Sequence, residues 1–365
     1  MRTTLFLVPA LVLGITANAQ KPLTNQEIWY SPAFSSERVD GLLSMKDGIH
    51  YTTLEEEGGT AMVNQYAYKT GDKVGTVVNG KDLVLSGATA PLPMEGYSFS
   101  GDEQRLMIES GMQPLYRYSY FAYNHVYDRS SKKLMPLSDP AKSPQRLATF
   151  SPDGSHAAFV RDNNLYTVEL ATMKETAVTT DGEWNKVLNG ATDWVYEEEF
   201  TLVQGYQWSP DGKKILFLRS DESGVREFDF TTYRHELYPG SYKFKYPKAG
   251  EANSTVSLHI HDVASHTTAP LDLGTTETDL YLPRFGFIDR EHVWFMRMDR
   301  LQQTKTIQRA NITVPDHPGK PTEIYSEKSD TYVEVTDDLF FLANGGFILT
   351  SEKSGWNHIH WHDPS

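Results

Sequence analysis

From Gly41 onward the chain is written in short runs in which apolar and polar positions alternate, each run entered from an apolar or aromatic residue and a tight turn. A period of two puts alternate side chains on opposite faces of a strand, so the pattern predicts β-structure throughout. The clearest copies are Phe150-Ser151-Pro152-Asp153-Gly154 leading into SHAAFVRDNNLYTVEL, and Trp208-Ser209-Pro210-Asp211-Gly212 leading into KKILFLRS. In S-P-D-G the proline fixes the first central φ, the aspartate caps the turn, and the glycine accepts positive φ. The two copies stand 58 residues apart, Ser151 to Ser209, and a degenerate copy, Phe99-Ser100-Gly101-Asp102-Glu103, lies 51 residues before the first. Weaker echoes occur at Met45-Lys46-Asp47-Gly48, at Phe287-Ile288-Asp289-Arg290 and at residues 341–346, FLANGG.

Repeats of this length with several strands per unit predict an all-β chain, a β-propeller of four-stranded blades with about six blades in residues 41–365. A β-sandwich does not repeat one turn motif at such spacing. The long interval between Trp208 and Phe285 predicts an insertion within one blade at residues 236–251, ELYPGSYKFKYPKAGE. Near the C-terminus, residues 346–351 and 356–361 read as two strands of a further blade, so the expected ring is incomplete there.

Residues 21–40 read as an entry segment with a short helix from Asn25 to Trp29, stopped by Tyr30-Ser31-Pro32. Before it, residues 1–20 carry one arginine, an apolar run from Leu5 to Ile15 and the small-x-small triplet Ala17-Asn18-Ala19, the pattern of a cleaved secretory signal peptide. A secreted or periplasmic protein is expected, and no second apolar stretch suggests a membrane span. The chain has no cysteine, which rules out disulfides. Its 365 residues are 39% hydrophobic and 22% charged, an ordinary globular composition, and the formal net charge of −14 disfavours nucleic acid and anionic membranes as partners.

No G-x-S-x-G elbow and no strand-helix alternation are present, so an α/β-hydrolase core and its nucleophile are not expected here. His259 and His261, and likewise His358, His360 and His362, recur with period two; each set shares a strand face, compatible with a metal site or with surface imidazoles. The densest chemistry is Asp193-Trp194-Val195-Tyr196-Glu197-Glu198-Glu199-Phe200. Three adjacent carboxylates among residues that prefer burial need a counter-charge, and an ammonium has the charge and donors that two carboxylates can satisfy.

Residues 191–200, ATDWVYEEEF, resemble the double-glutamate motif of the dipeptidyl peptidase IV family, secreted serine exopeptidases of the prolyl oligopeptidase group. The S-P-D-G turns, residues 220–223 (SDES), 246–250 (YPKAG) and 351–358 (SEKSGWNH) are similar as well, so the resemblance runs from about Tyr97 to the end. It implies an eight-bladed propeller capping an α/β-hydrolase domain, with a Ser-Asp-His triad in that domain and no cofactor. It further implies that Glu198 and Glu199 hold the ammonium of a peptide with a free N-terminus and that Glu197 is structural. Arg117, in Tyr116-Arg117-Tyr118-Ser119-Tyr120, would bind the peptide carbonyl near the scissile bond. Residues 329–340 offer only Tyr332 toward the family's other cavity-lining positions. The expected activity is release of Xaa-Pro or Xaa-Ala dipeptides, with the catalytic domain missing from this chain and a homodimer admitted for the full-length form. The competing expectation is a non-catalytic periplasmic propeller that binds peptides or partner proteins.

Overall fold

The computed structural model describes residues 23–364 apart from Glu37, residues 234–235 and residues 315–317. The signal-peptide reading of residues 1–20 lies outside the described residues. The chain separates into two compact units, Met1–Asp40 and Gly41–Ser365. In the first, helix α1 spans Asn25–Tyr30 and is started by a capping box: the Glu27 amide donates to the Thr24 hydroxyl while the Glu27 carboxylate accepts from the Thr24 amide. It ends at Ser31, where Pro32 opens a single 3₁₀ turn, Pro32–Phe34.

Among the described residues the second unit is a succession of six antiparallel sheets, at residues 43–79, 96–136, 146–177, 187–270, 280–328 and 340–362, with a separate two-stranded ribbon inserted in the fourth. The first three are four-stranded meanders, and the sixth has three strands where the sequence suggested two. Five apolar clusters lie between consecutive sheets. Leu106 and Ile108 pack with Val63 and Val78 of the first sheet, while Met107, between them in sequence, packs with Phe159 of the third. Ala158 and Val160 meet Ile215 and Phe217; Leu216 and Leu218 then meet Val293 and Phe295; Ile307 meets Phe347 and Leu349. Sheets stacked face to face in chain order are blades of a β-propeller. With both faces covered, the second strands lose their polar alternation and read as apolar runs, AAFV in His156–Arg161 and ILFL in Lys214–Asp221. Each fully buried phenylalanine in these seams, Phe159, Phe217 and Phe295, contributes about 1.5–3 kcal/mol.

The six turn motifs each join the first strand of a sheet to the second. In the third sheet the Ser151 hydroxyl donates to Asp153 at 2.6 Å, and the Gly154 amide donates to the Ser151 carbonyl at 2.9 Å with Gly154 at φ +70°. Ser209, Asp211 and Gly212 repeat this arrangement. In the degenerate copy Glu103 takes the left-handed position, at φ +56°. At the other end of the strands lie the connections between second and third strands, residues 115–119 in sheet two and 222–254 in sheet four. The latter is the insertion, and it begins earlier than residues 236–251. Its core is a ribbon of Glu227–Thr232 against Gly240–Lys245, whose first arm alternates Phe228 and Phe230 and pairs them with Phe244 and Tyr242.

Candidate functional site

The inner strand of sheet four is broken. Its halves, Val187–Asn189 and Tyr206–Trp208, both pair with Lys214–Asp221, and the chain between them leaves the sheet. The neck of this excursion is closed by the Gly205 amide donating to the Gly190 carbonyl at 3.1 Å. A β-carbon on Gly205 would lie 2.9–3.0 Å from the backbone of Gly190 and Ala191, so only glycine fits. The Thr192 hydroxyl donates across the neck to the Leu202 carbonyl at 2.7 Å.

Above the neck stands helix α2, Trp194–Phe200. Asp193 caps it by accepting from the Tyr196 amide at 3.0 Å, and its second oxygen accepts from the Ser254 hydroxyl at 2.5 Å. Burial raises the pKa of this carboxyl, with the two hydrogen bonds opposing. Asp193→Ala is expected to cost about 1–2 kcal/mol, read as a lower urea midpoint with an unchanged slope. The helix ends at Thr201, at φ +52°. Tyr196 and Phe200, one turn apart, anchor it: Phe200 meets Tyr281 at 5.0 Å, and the Tyr196 hydroxyl accepts from the Leu282 amide at 2.9 Å.

A helix turns about 100° per residue, so three consecutive glutamates enter three environments. Glu197 is fully buried, and its Oε1 accepts from the amides of Tyr118 and Ser119 at 2.8 and 2.9 Å. Glu198 is half-buried and accepts from Arg117 Nε at 2.8 Å. Glu199 is exposed, with no hydrogen bond or ion pair to any described residue. Arg117 is 66% exposed and sits in the turn between Arg105–Pro114 and Tyr120–Asp128, closed by the Leu115 amide donating to the Ser119 carbonyl. The hydrogen bond to Glu198 raises its pKa further. The structure therefore brings Arg117 and Glu198 into contact, with Glu199 next in the helix.

An aromatic wall borders the helix on the ribbon side. Trp194 lies 4.4 Å from Tyr246, the first residue of YPKAG, and 6.5 Å from Phe244, which stands 6.1 Å from Tyr116. Two buried ionisable residues complete the surroundings, Arg146 and Glu222. Burial, and then the nearby Asp193, push the Glu222 carboxyl up to about 8. Sequence reasoning gave neither a role: SDES contains Glu222 without marking it, and Arg146 carries no local signal at all.

The histidine pairs do other work. His259 stacks on Phe217 at 5.3 Å and His261 is buried with Nδ1 beside the Thr268 hydroxyl, so these two are packed within the blade rather than displayed on its surface. His362 stacks on Phe347 at 4.6 Å. Among the described residues no group of three or more His, Asp or Glu could hold a metal ion, and no helix is long and apolar enough to cross a membrane. Tyr332 is exposed, its hydroxyl donating to Glu334.

Residues 100–365 match the family model described as the dipeptidyl peptidase IV (DPP IV) N-terminal region. The chain belongs to the dipeptidyl peptidase IV family. Among the family's curated members it is 30% identical over 312 residues to a probable dipeptidyl-aminopeptidase B of Talaromyces marneffei, covering 79% of this chain and 33% of that one. To human prolyl endopeptidase FAP it is 29% identical, over 73% of this chain and 36% of that one. The crystal structure of Porphyromonas gingivalis dipeptidyl peptidase 4 superposes with a TM-score of 0.84 at 37% identity, covering 94% of this chain and 48% of that chain. The chain thus spans about a third to a half of the length of these family members.

Proposed function

We propose that this chain is the substrate-gating propeller of a dipeptidyl peptidase IV-like exopeptidase, and that Glu198 and Glu199 bind the free N-terminal ammonium of a peptide whose carbonyl is held by Arg117. The observation that carries the reading is the charge arithmetic at the end of α2. Of two adjacent carboxylates, Glu198 is paired with the Arg117 guanidinium, while exposed Glu199 has no ion pair among the described residues, which leaves one negative charge accessible. An ammonium supplies one positive charge and three donors, and its binding makes the cluster neutral.

Such a site measures length. Anchoring the chain end at a fixed distance from a nucleophile selects the bond after the second residue, and the covalent chemistry belongs to a Ser-Asp-His triad in a hydrolase domain of the intact protein. The preferred products are Xaa-Pro and Xaa-Ala dipeptides. The leader-like residues 1–20 support export to the periplasm or beyond.

The test is turnover of a Gly-Pro amide by the intact protein with its N-terminus free or acetylated. Acetylation removes the positive charge and adds bulk at the anchoring point, so kcat/KM is expected to fall about 100-fold or more. Equal turnover of the two substrates contradicts the proposal.

A further inference from the structure

Arg146 opens the inner strand of sheet three, Arg146–Phe150, and is only 3% exposed. Its guanidinium lies 5.7 Å from the centre of the Phe121 ring. Nε and Nη2 have no hydrogen-bond partner among the described residues, and no ion pair is formed directly. The titratable groups within its electrostatic reach are Tyr116, Glu197 and Glu222. Burial lowers its pKa and these three neighbours oppose that, but a guanidinium stays charged at any physiological pH.

Of those neighbours Glu197 has the complementary defect. Its Oε1 is taken by the amides of Tyr118 and Ser119, while Oε2 is buried with no partner among the described residues, as is the Ser119 hydroxyl. A lone buried guanidinium and a lone buried carboxylate oxygen are each strongly unfavourable. Taken together they compensate: opposite charges in a low dielectric, with N–H donors on one side, an acceptor on the other and a hydroxyl beside it, a set that one bridging water completes. Glu222 competes little for Arg146, because its carboxyl is held mainly neutral at pH 7 by burial.

We infer that Arg146 is a positioning residue: through a water-bridged pairing with Glu197 it holds the 115–119 turn, and with it Arg117, against helix α2. Three glutamates then meet two arginines, Glu197 with Arg146 below the surface and Glu198 with Arg117 above it. The charge left over is that of Glu199, available to a ligand. The part of this inference that concerns peptide binding rests on the proposed ammonium clamp; the part that concerns the turn does not.

The experiment compares Arg146→Gln, Arg146→Lys, Glu197→Gln and the Arg146→Gln/Glu197→Gln double variant in the intact protein, by amide hydrogen exchange at Tyr118 and Ser119 and by kcat and KM on a free-N-terminus Gly-Pro amide. Arg146→Gln is expected to speed exchange at those two amides about tenfold and to raise KM about tenfold with kcat little changed, with no further loss when Glu197→Gln is already present. Arg146→Lys, which keeps the charge, is expected to restore most of both. If Arg146→Gln fails to fold, native-like exchange in Arg146→Lys together with loss in Glu197→Gln still supports the pairing. Unchanged exchange in Arg146→Gln, additive losses in the double variant, or a lysine variant as loose as the glutamine one overturns it. If Glu198→Gln leaves peptide turnover untouched the clamp reading falls, and the exchange data still decide the role of Arg146.

Discussion

Glu198→Gln and Glu199→Gln in the intact protein are each expected to cut kcat/KM for free-N-terminus dipeptidyl substrates by a few hundredfold, about 3 kcal/mol or more. The two losses have different causes. Glu198 is half-buried and already holds Arg117, so its replacement leaves the guanidinium without its anion and the ammonium with one carboxylate. Glu199 is exposed and has no ion pair among the described residues, so on the proposed reading its replacement removes a charge that the ligand would use. The first variant should therefore also disturb the hold on the peptide carbonyl proposed for Arg117, and the second should not. Glu199→Gln should leave stability unchanged within about 0.5 kcal/mol, as for other exposed substitutions. Both losses should be measured at fixed ionic strength, since salt weakens exposed pairs.

A second large effect is expected in the pH dependence of stability. Glu222 is 6% exposed, and its carboxyl rises from 4.5 to about 8 through burial and the neighbouring Asp193, with Lys245 and Arg146 opposing. Between these two values the folded chain keeps a proton that the unfolded chain has released. Stability from this group is therefore fully present below pH 4.5 and is lost as pH rises toward 8, on the order of 5 kcal/mol across the window. Above pH 8 both states are ionised and the slope vanishes. Glu222→Gln, neutral throughout, should match the native protein at about pH 4 and exceed it in stability at about pH 8.5, by urea denaturation at each pH. A native protein no less stable at pH 8.5 than Glu222→Gln contradicts this account.

The blade repeat was legible because its signal is local: serine, aspartate and glycine within one turn make the hydrogen bonds that the sequence advertises. Six copies of that turn, strong or weak, correspond to the six blade sheets, the inserted ribbon apart. The start of the insertion was not legible, because Glu227–Thr232 alternates like any blade strand and only its partner, Gly240–Lys245, makes it a separate ribbon. For a like reason His259 and His261 read as surface imidazoles; that Phe217 lies directly across the sheet from His259 and stacks on it is set by strand register, not by local spacing. Tyr116 to Tyr120 alternates as a strand would, yet the chain turns there and puts Arg117 at the sheet's end.

At the site, the sequence marked the glutamate run and the resemblance separated its members. What separates them physically is the helix, which aims Glu197 at the amides of Tyr118 and Ser119, far away along the chain. Arg146 and Glu222 were invisible for that reason too. Their meaning lies in neighbours brought together by the fold, Glu197 for Arg146 and Asp193 for Glu222, which no local spacing rule connects.

The central claim is that Glu198 and Glu199 read the charge of the peptide N-terminus. It is tested most directly by the ratio of kcat/KM for free and N-acetylated Gly-Pro amide in the native protein and in the Glu198→Gln/Glu199→Gln double variant. If the two acids are what senses the ammonium, the native preference collapses toward one in the double variant. A double variant that discriminates as strongly as the native protein contradicts the account.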